Sequence, residues 1–134
     1  MNDRFRFRVW GVDYQQYMND GEFVIDNNGE LCAPHADMLK VPQTSFIIEQ
    51  CTGRHDIHGK LIYEGDVVKV QYSLFNGLRD ARNEFVGSIK WEDYGFVAED
   101  RSGARLYLNL YYIDCRRGIE VLGNIHENPE MMEG

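Results

Sequence analysis

Cysteine is scarce in this chain, and the three present, Cys32, Cys51 and Cys115, are odd in number and scattered. That does not make a secreted disulfide framework, and a reducing, cytosolic setting is the economical reading. Long apolar runs are lacking too. None approaches the ~20 residues a membrane-spanning helix needs, and the opening Met1-Asn2-Asp3-Arg4 has no signal-peptide core, so no membrane partner is expected. Basic charge is in deficit: 14 Lys and Arg stand against 22 Asp and Glu, a net charge of -8. Such a chain repels nucleic-acid phosphate unless its cations gather on one face. No linker, internal repeat or low-complexity tract divides the sequence. A Walker loop, a dinucleotide fingerprint, a Gly-x-Ser-x-Gly elbow and a His-Glu-x-x-His helix are likewise missing, and no cofactor is expected.

What is present is aromatic and turn-rich. Seven Phe, eight Tyr and two Trp among 134 residues suit one folded, sheet-rich domain. Phe5, Phe7 and Val9 alternate with Arg4, Arg6 and Arg8, the period of a half-buried strand. Asp26-Asn27-Asn28-Gly29 joins two short strands as a hairpin turn, because Asn and Gly tolerate positive φ. Ser45 to Cys51 reads as a strand, and Val68, Val70 and Tyr72 share one face of the next. Phe85, Ile89 and Trp91 alternate with polar residues, and Leu106, Leu108 and Leu110 face inward from a later strand. Gly53 and Gly59 flank a polar turn, Gly65 makes a sharp corner before the next strand, and Gly123 marks a bulge or close approach. Asn128-Pro129-Glu130 starts a short helical turn. The pattern predicts a mainly β protein. Residues from about 60 to 127 read as a five-stranded, SH3-like small barrel, and residues 1 to about 52 as a β-hairpin lobe packed on it.

Candidate chemistry is thin. His55 and His58, with Cys51 nearby, have the flavour of part of a zinc site, yet a solvated turn explains them better, so no metal is expected. A cysteine nucleophile would need a base beside it, and Cys51, at the end of an apolar strand, is better read as buried. Cys115 precedes Arg116 and Arg117, which is a weak signal for a lowered thiol pKa. Of the acidic pairs, Glu64 with Asp66 is best read as shaping the Gly65 corner; the others, Glu92-Asp93 and Glu99-Asp100, sit at turns. Arg4, Arg6, Arg8 and Trp10 could form a basic-aromatic stripe for nucleic acid, helped by Arg79, Arg82, Arg116 and Arg117. The competing account is the polar face of an edge strand, and the net charge favours it.

Two segments carry a family resemblance: Thr52-Gly53 through Gly59-Lys60-Leu61-Ile62-Tyr63-Glu64-Gly65-Asp66, and Glu120-Val121-Leu122-Gly123-Asn124-Ile125-His126-Glu127-Asn128-Pro129. With Arg8-Val9-Trp10 near the start, the chain resembles the YopX-like family of phage and prophage proteins over nearly its whole length. The resemblance implies no catalytic residues. It implies a small protein in the cytoplasm of a bacterial host. The expected activity is non-enzymatic, through contacts with a host or phage protein and with self-association open. Tyr63, Tyr94, Tyr107, Tyr111 and Tyr112 are candidate contact aromatics. A nucleic-acid-binding accessory protein is the first alternative, a metal-dependent enzyme the second.

Overall fold

The computed structural model describes residues 3–72, 83–92, 95–108 and 118–133. After a 3-10 turn at Asp3–Phe5 come β1 (Phe7–Gly11), β2 (Gln16–Tyr17), β3 (Val24–Ile25), β4 (Leu31–Ala33), β5 (Leu39–Lys40) and β6 (Phe46–His55). They are followed by β7 (Leu61–Tyr63), β8 (Asp66–Tyr72), β9 (Asn83–Glu92), β10 (Gly95–Glu99), β11 (Arg105–Tyr107) and β12 (Ile119–Asn124). Among the described residues these strands form three antiparallel sheets, ordered β2-β1-β6-β7, β3-β4-β5 and β11-β10-β9-β8-β12. The mainly β expectation holds. Strand β7 lies within the stretch read as a barrel, yet it pairs with β6, joining Cys51 to Tyr63 and His55 to Leu61. Leu61–Tyr63 thus completes the N-terminal sheet.

The alternation in β8, β9 and β10 builds the main core. Ile62, Val68, Val70, Ile89, Ala98, Leu106, Leu108 and Ile119 form one buried cluster, with Phe85, Phe96 and Val121 against it. Val67 and Val68 are consecutive and both fully buried. Successive strand residues point to opposite faces, so β8 is covered on both. This double burial sets the chemistry of its first residue, Asp66.

One turn recurs three times. At Asp26, Asp56 and Asp100 the first-position carboxylate Oδ1 accepts the N–H groups two and four residues on, all at 2.9 Å. The glycine at the fourth position donates to the Asp carbonyl and has φ between 80° and 90°. These are Asx-type turns closed by a left-handed glycine. Asp56 goes further. Its Oδ2 accepts the Val121 amide at 3.0 Å, and the Ile57 amide donates to the Ile119 carbonyl at 2.9 Å. The turn thereby covers the outer edge of β12, a device that protects an otherwise open strand. Burial opposes ionisation of Asp56, but the Val121, Lys60 and His58 amides outweigh it and hold the carboxyl below its usual range. Asp56→Ala should cost about 2–3 kcal/mol, because buried N–H groups lose their acceptor. A carboxyl depressed in the folded state contributes stability above its unfolded pKa and loses it as pH falls through the folded value. The gap between wild type and variant in urea midpoint should therefore close in acid.

The first strand departs from expectation. The Asp3–Phe5 turn, closed by the Arg6 amide on the Asp3 carbonyl at 3.0 Å, removes Arg4 from the strand. Arg4, Arg6 and Arg8 therefore do not form one row. The Asn28-Gly29 hairpin is as expected, with Ile25 opposite Leu31 and Val24 opposite Cys32. So is the bulge, since the β12–β8 register shifts between Val121 and Gly123. Pro129–Glu133 forms the short 3-10 turn foreseen at the C-terminal end.

Candidate functional site at the sheet junction

The two sequence segments that carry the family resemblance meet β1 and β6 at a buried polar cluster. Arg8 and Glu49 are direct cross-strand partners. The Arg8 Nε donates to Glu49 Oε1 at 2.8 Å, and one terminal nitrogen donates to Asp66 Oδ1 at 2.8 Å and to the Glu64 carbonyl at 3.1 Å. Its guanidinium lies 4.5 Å from the Tyr17 ring centre and 4.8 Å from that of Tyr63, a cation held between two aromatic rings. The Tyr17 hydroxyl donates to Glu49 Oε1 at 2.8 Å, and His126 Nε2 lies 2.9 Å from Glu49 Oε2. The His126 ring stacks on Trp10, 4.6 Å between centres and 7° between planes. Tyr17 meets Trp10 edge-on at 5.0 Å.

Glu49 and Asp66 are 3 % and 1 % exposed, so two carboxylates sit where charge is costly without partners. Burial opposes the Arg8 charge, but Asp66 and Glu49 outweigh it and raise its pKa further. Burial raises the Asp66 carboxyl, and neither Arg8 nor the Tyr63 amide at 2.8 Å fully offsets that. Burial and Glu49 push the Tyr17 hydroxyl far above its ordinary value. Glu64 is also raised by burial, against the Gln50 amide that its Oε1 accepts at 2.9 Å. Among the described residues no buried side-chain nitrogen or oxygen lacks a partner.

Each motif residue has a place in this joint. Gly65, at φ +84°, lies against the Glu49 carboxylate where a Cβ would collide. Its amide donates to the Ile89 carbonyl and its carbonyl accepts the Ile125 amide, both at 2.9 Å. Asn124 Oδ1 accepts the His126 and Glu127 amides at 3.0 and 2.8 Å, shaping the turn that delivers the imidazole. The Asn128 side chain turns back onto the Asn124 amide at 3.3 Å and fills the space a Cβ on Gly123 would need. Gly53 has φ +80°, in the irregular stretch of β6 between its pairings with β7. Tyr63 carries the ring beneath Arg8, and Pro129 opens the last turn. The corner reading of Glu64 and Asp66 is right, but it omits the cation they hold.

Arg8 and Trp10 thus face inward, and Trp10 is 3 % exposed. The two do not join an exposed stripe with Arg6, whose side chain is half exposed and 3.8 Å from Asp3. Nothing is described of the Arg4 side chain. Arg79, Arg82, Arg116, Arg117, Cys115, Tyr94, Tyr111 and Tyr112 lie outside the described residues. His55 and His58 are exposed, 3.9 Å from Asp3 and Glu120 respectively, while Cys51 is fully buried. Among the described residues no three His, Cys, Asp or Glu converge as a metal site. Glu49, Tyr17 and His126 were not singled out from sequence. One signal was available: Glu49 sits on the inward parity of β6, between Ile47 and the buried Cys51, and an ionised group there demands a buried cation.

The family profile described as "YopX protein" matches residues 6–133. Among solved structures, protein EF1440 from Enterococcus faecalis is similar, with a TM-score of 0.52 at 23 % identity over 95 % of this chain and 96 % of that one. At that identity the likeness concerns the fold. No curated protein matches.

Proposed function

This chain belongs to the YopX protein family, and we propose that it is a phage- or prophage-encoded, non-enzymatic module that works through protein contacts in the cytoplasm of a bacterial host. The supporting observation is the state of the motif side chains. Arg8, Glu49, Asp66 and Asn124 bond to one another, to their neighbours or to backbone amides across the sheet junction. General acid–base work needs a carboxyl or imidazole within reach of a reacting atom, whereas Glu49 and Asp66 are sealed. The motif acts as a joint that holds two sheets in register. Contact chemistry lies elsewhere, in exposed side chains such as Phe5 at 71 % and Trp91 at 57 %. Trp91 packs edge-on against Phe96 at 4.7 Å and so presents a supported aromatic surface. Among the described residues no helix is long and apolar enough to cross a membrane.

The test is affinity capture from host lysate with the immobilised full chain, repeated with Trp91→Asp and Phe5→Asp variants of unchanged thermal midpoint. A discrete protein retained stoichiometrically by wild type and lost from one variant is the expected result. Turnover of a substrate by the purified chain, abolished by Glu49→Gln with the fold retained, would overturn the proposal.

A further inference from the structure

A groove of about 370 Å³ runs beside β1, within the size range of ligand sites. It is lined by Phe5 to Val9, by Met18 to Gly21 with Phe23, and by Tyr63. Strand pairing explains the opening. On its β6 side β1 is matched from Phe7 to Gly11, but on its β2 side the register covers only Trp10 and Gly11. The Met18 amide adds one bond, to the Val9 carbonyl at 2.9 Å, and the chain then turns away at Asn19, with Glu22 donating back to its carbonyl. Among the described residues Phe7 and Arg8 therefore have no strand beside them on that side. This is the geometry of a sheet edge that accepts an added strand.

The charges around the groove select its occupant. The charged residues that line it are Arg6, Arg8 and Asp20. Arg8 is already paired with Glu49 and Asp66 behind it. Among the described residues Arg6 has one ion pair, the long, exposed contact to Asp3 at 3.8 Å, a pair of the kind that contributes little. Arg6 can exchange that partner for an incoming carboxylate at small cost. Phe5 and Phe23 add apolar lining.

We propose that this groove docks an extended, acidic-aromatic peptide segment of a partner protein, added as a short strand beside Phe7 with a carboxylate on Arg6 and an aromatic side chain against the apolar lining. The proposal rests on the protein-contact reading and names the partner's chemistry. A nucleic acid fits less well, since it has no peptide N–H and C=O groups to pair with the open side of β1 at Phe7.

The probe is a synthetic peptide of about eight residues alternating Phe and Glu, long enough to cover a short strand. It is titrated into the isotope-labelled full chain alongside a Phe/Lys counterpart and oligothymidylate. The acidic peptide should move the amide signals of Phe7, Val9 and Asp20. Its affinity should fall roughly tenfold or more in Arg6→Glu, as for a lost charge contact, and largely recover in Arg6→Lys. Arg6 is surface-exposed, so these variants test binding with the fold intact. Equal binding of the Lys peptide, shifts confined to other surfaces, or no binding would overturn the proposal. Tighter binding of oligothymidylate at the same amides would also overturn it and assign the groove to a polyanion. If a captured host protein binds Arg6→Glu undiminished, the contact reading stands and the groove assignment falls.

Discussion

Arg8→Leu should destabilise the protein by about 3–5 kcal/mol, the usual cost of removing one partner from a buried ionic cluster. Against a typical domain stability of about 5–15 kcal/mol this approaches unfolding. Leucine matches much of the apolar stem but leaves Glu49 and Asp66, at 3 % and 1 % exposure, without their shared cation. It also empties the slot between the Tyr17 and Tyr63 rings. Arg8→Lys should recover only part of the loss. An ammonium cannot reproduce the fork that reaches Glu49 Oε1 through Nε and Asp66 Oδ1 through a terminal nitrogen. Urea denaturation with an unchanged m value measures both.

The same variant has a defined pH response. Burial already holds the Asp66 carboxyl above its ordinary value in the folded protein. A carboxyl raised on folding binds a proton more readily folded than unfolded, so its cost is relieved as pH falls through the folded value toward the unfolded one. Removal of Arg8 strengthens that tendency by withdrawing the charge that offsets burial. The difference between wild type and Arg8→Leu should therefore shrink as pH is lowered through that raised value, since a neutral Asp66 needs no cation. A difference that stays constant would mean that Asp66 does not depend on Arg8.

Much of the architecture was legible because local chemistry and burial agree. The alternating residues of β8 and β9, the Asn28-Gly29 hairpin, the Gly65 corner and the Gly123 bulge each follow from one short stretch. The cluster was not legible, because its members come from five separated places and join only through register. Arg8 meets Glu49 because Phe7 pairs with Gln50 one step earlier along the same ladder. His126 arrives through a turn whose Asn124 cap is readable, although its stacking on Trp10 is not. The alternation of arginines in the first segment was real but misread. Arg8 occupies an inward position on β1, while the Asp3–Phe5 turn takes Arg4 out of the strand. Val9 and Trp10 are consecutive and both buried, so β1 is covered on both faces and strand parity alone does not reveal that the arginine face is covered too.

Gly65→Ala should cost about 3 kcal/mol or more, and the excess over a matched control identifies the reason. Gly59 and Gly65 have nearly the same φ, +82° and +84°. A Cβ at Gly59 meets nothing within 4 Å, whereas at Gly65 it meets the carboxylate of Glu49. Gly59→Ala therefore measures left-handed strain alone, about 1–2 kcal/mol. Gly65→Ala adds the displacement of Glu49, whose Oε1 holds Arg8 and Tyr17 and whose Oε2 faces His126. Little can yield, because the Gly65 amide and carbonyl are tied to Ile89 and Ile125. A double-mutant cycle isolates the effect. In a Glu49→Ala background the obstructing carboxylate is gone, and Gly65→Ala should then cost no more than Gly59→Ala. The coupling between positions 49 and 65 should thus be large and compensating, with the second substitution costing less than it does alone. Simple additivity would show that the glycine is required by its φ and not by the carboxylate it shelters.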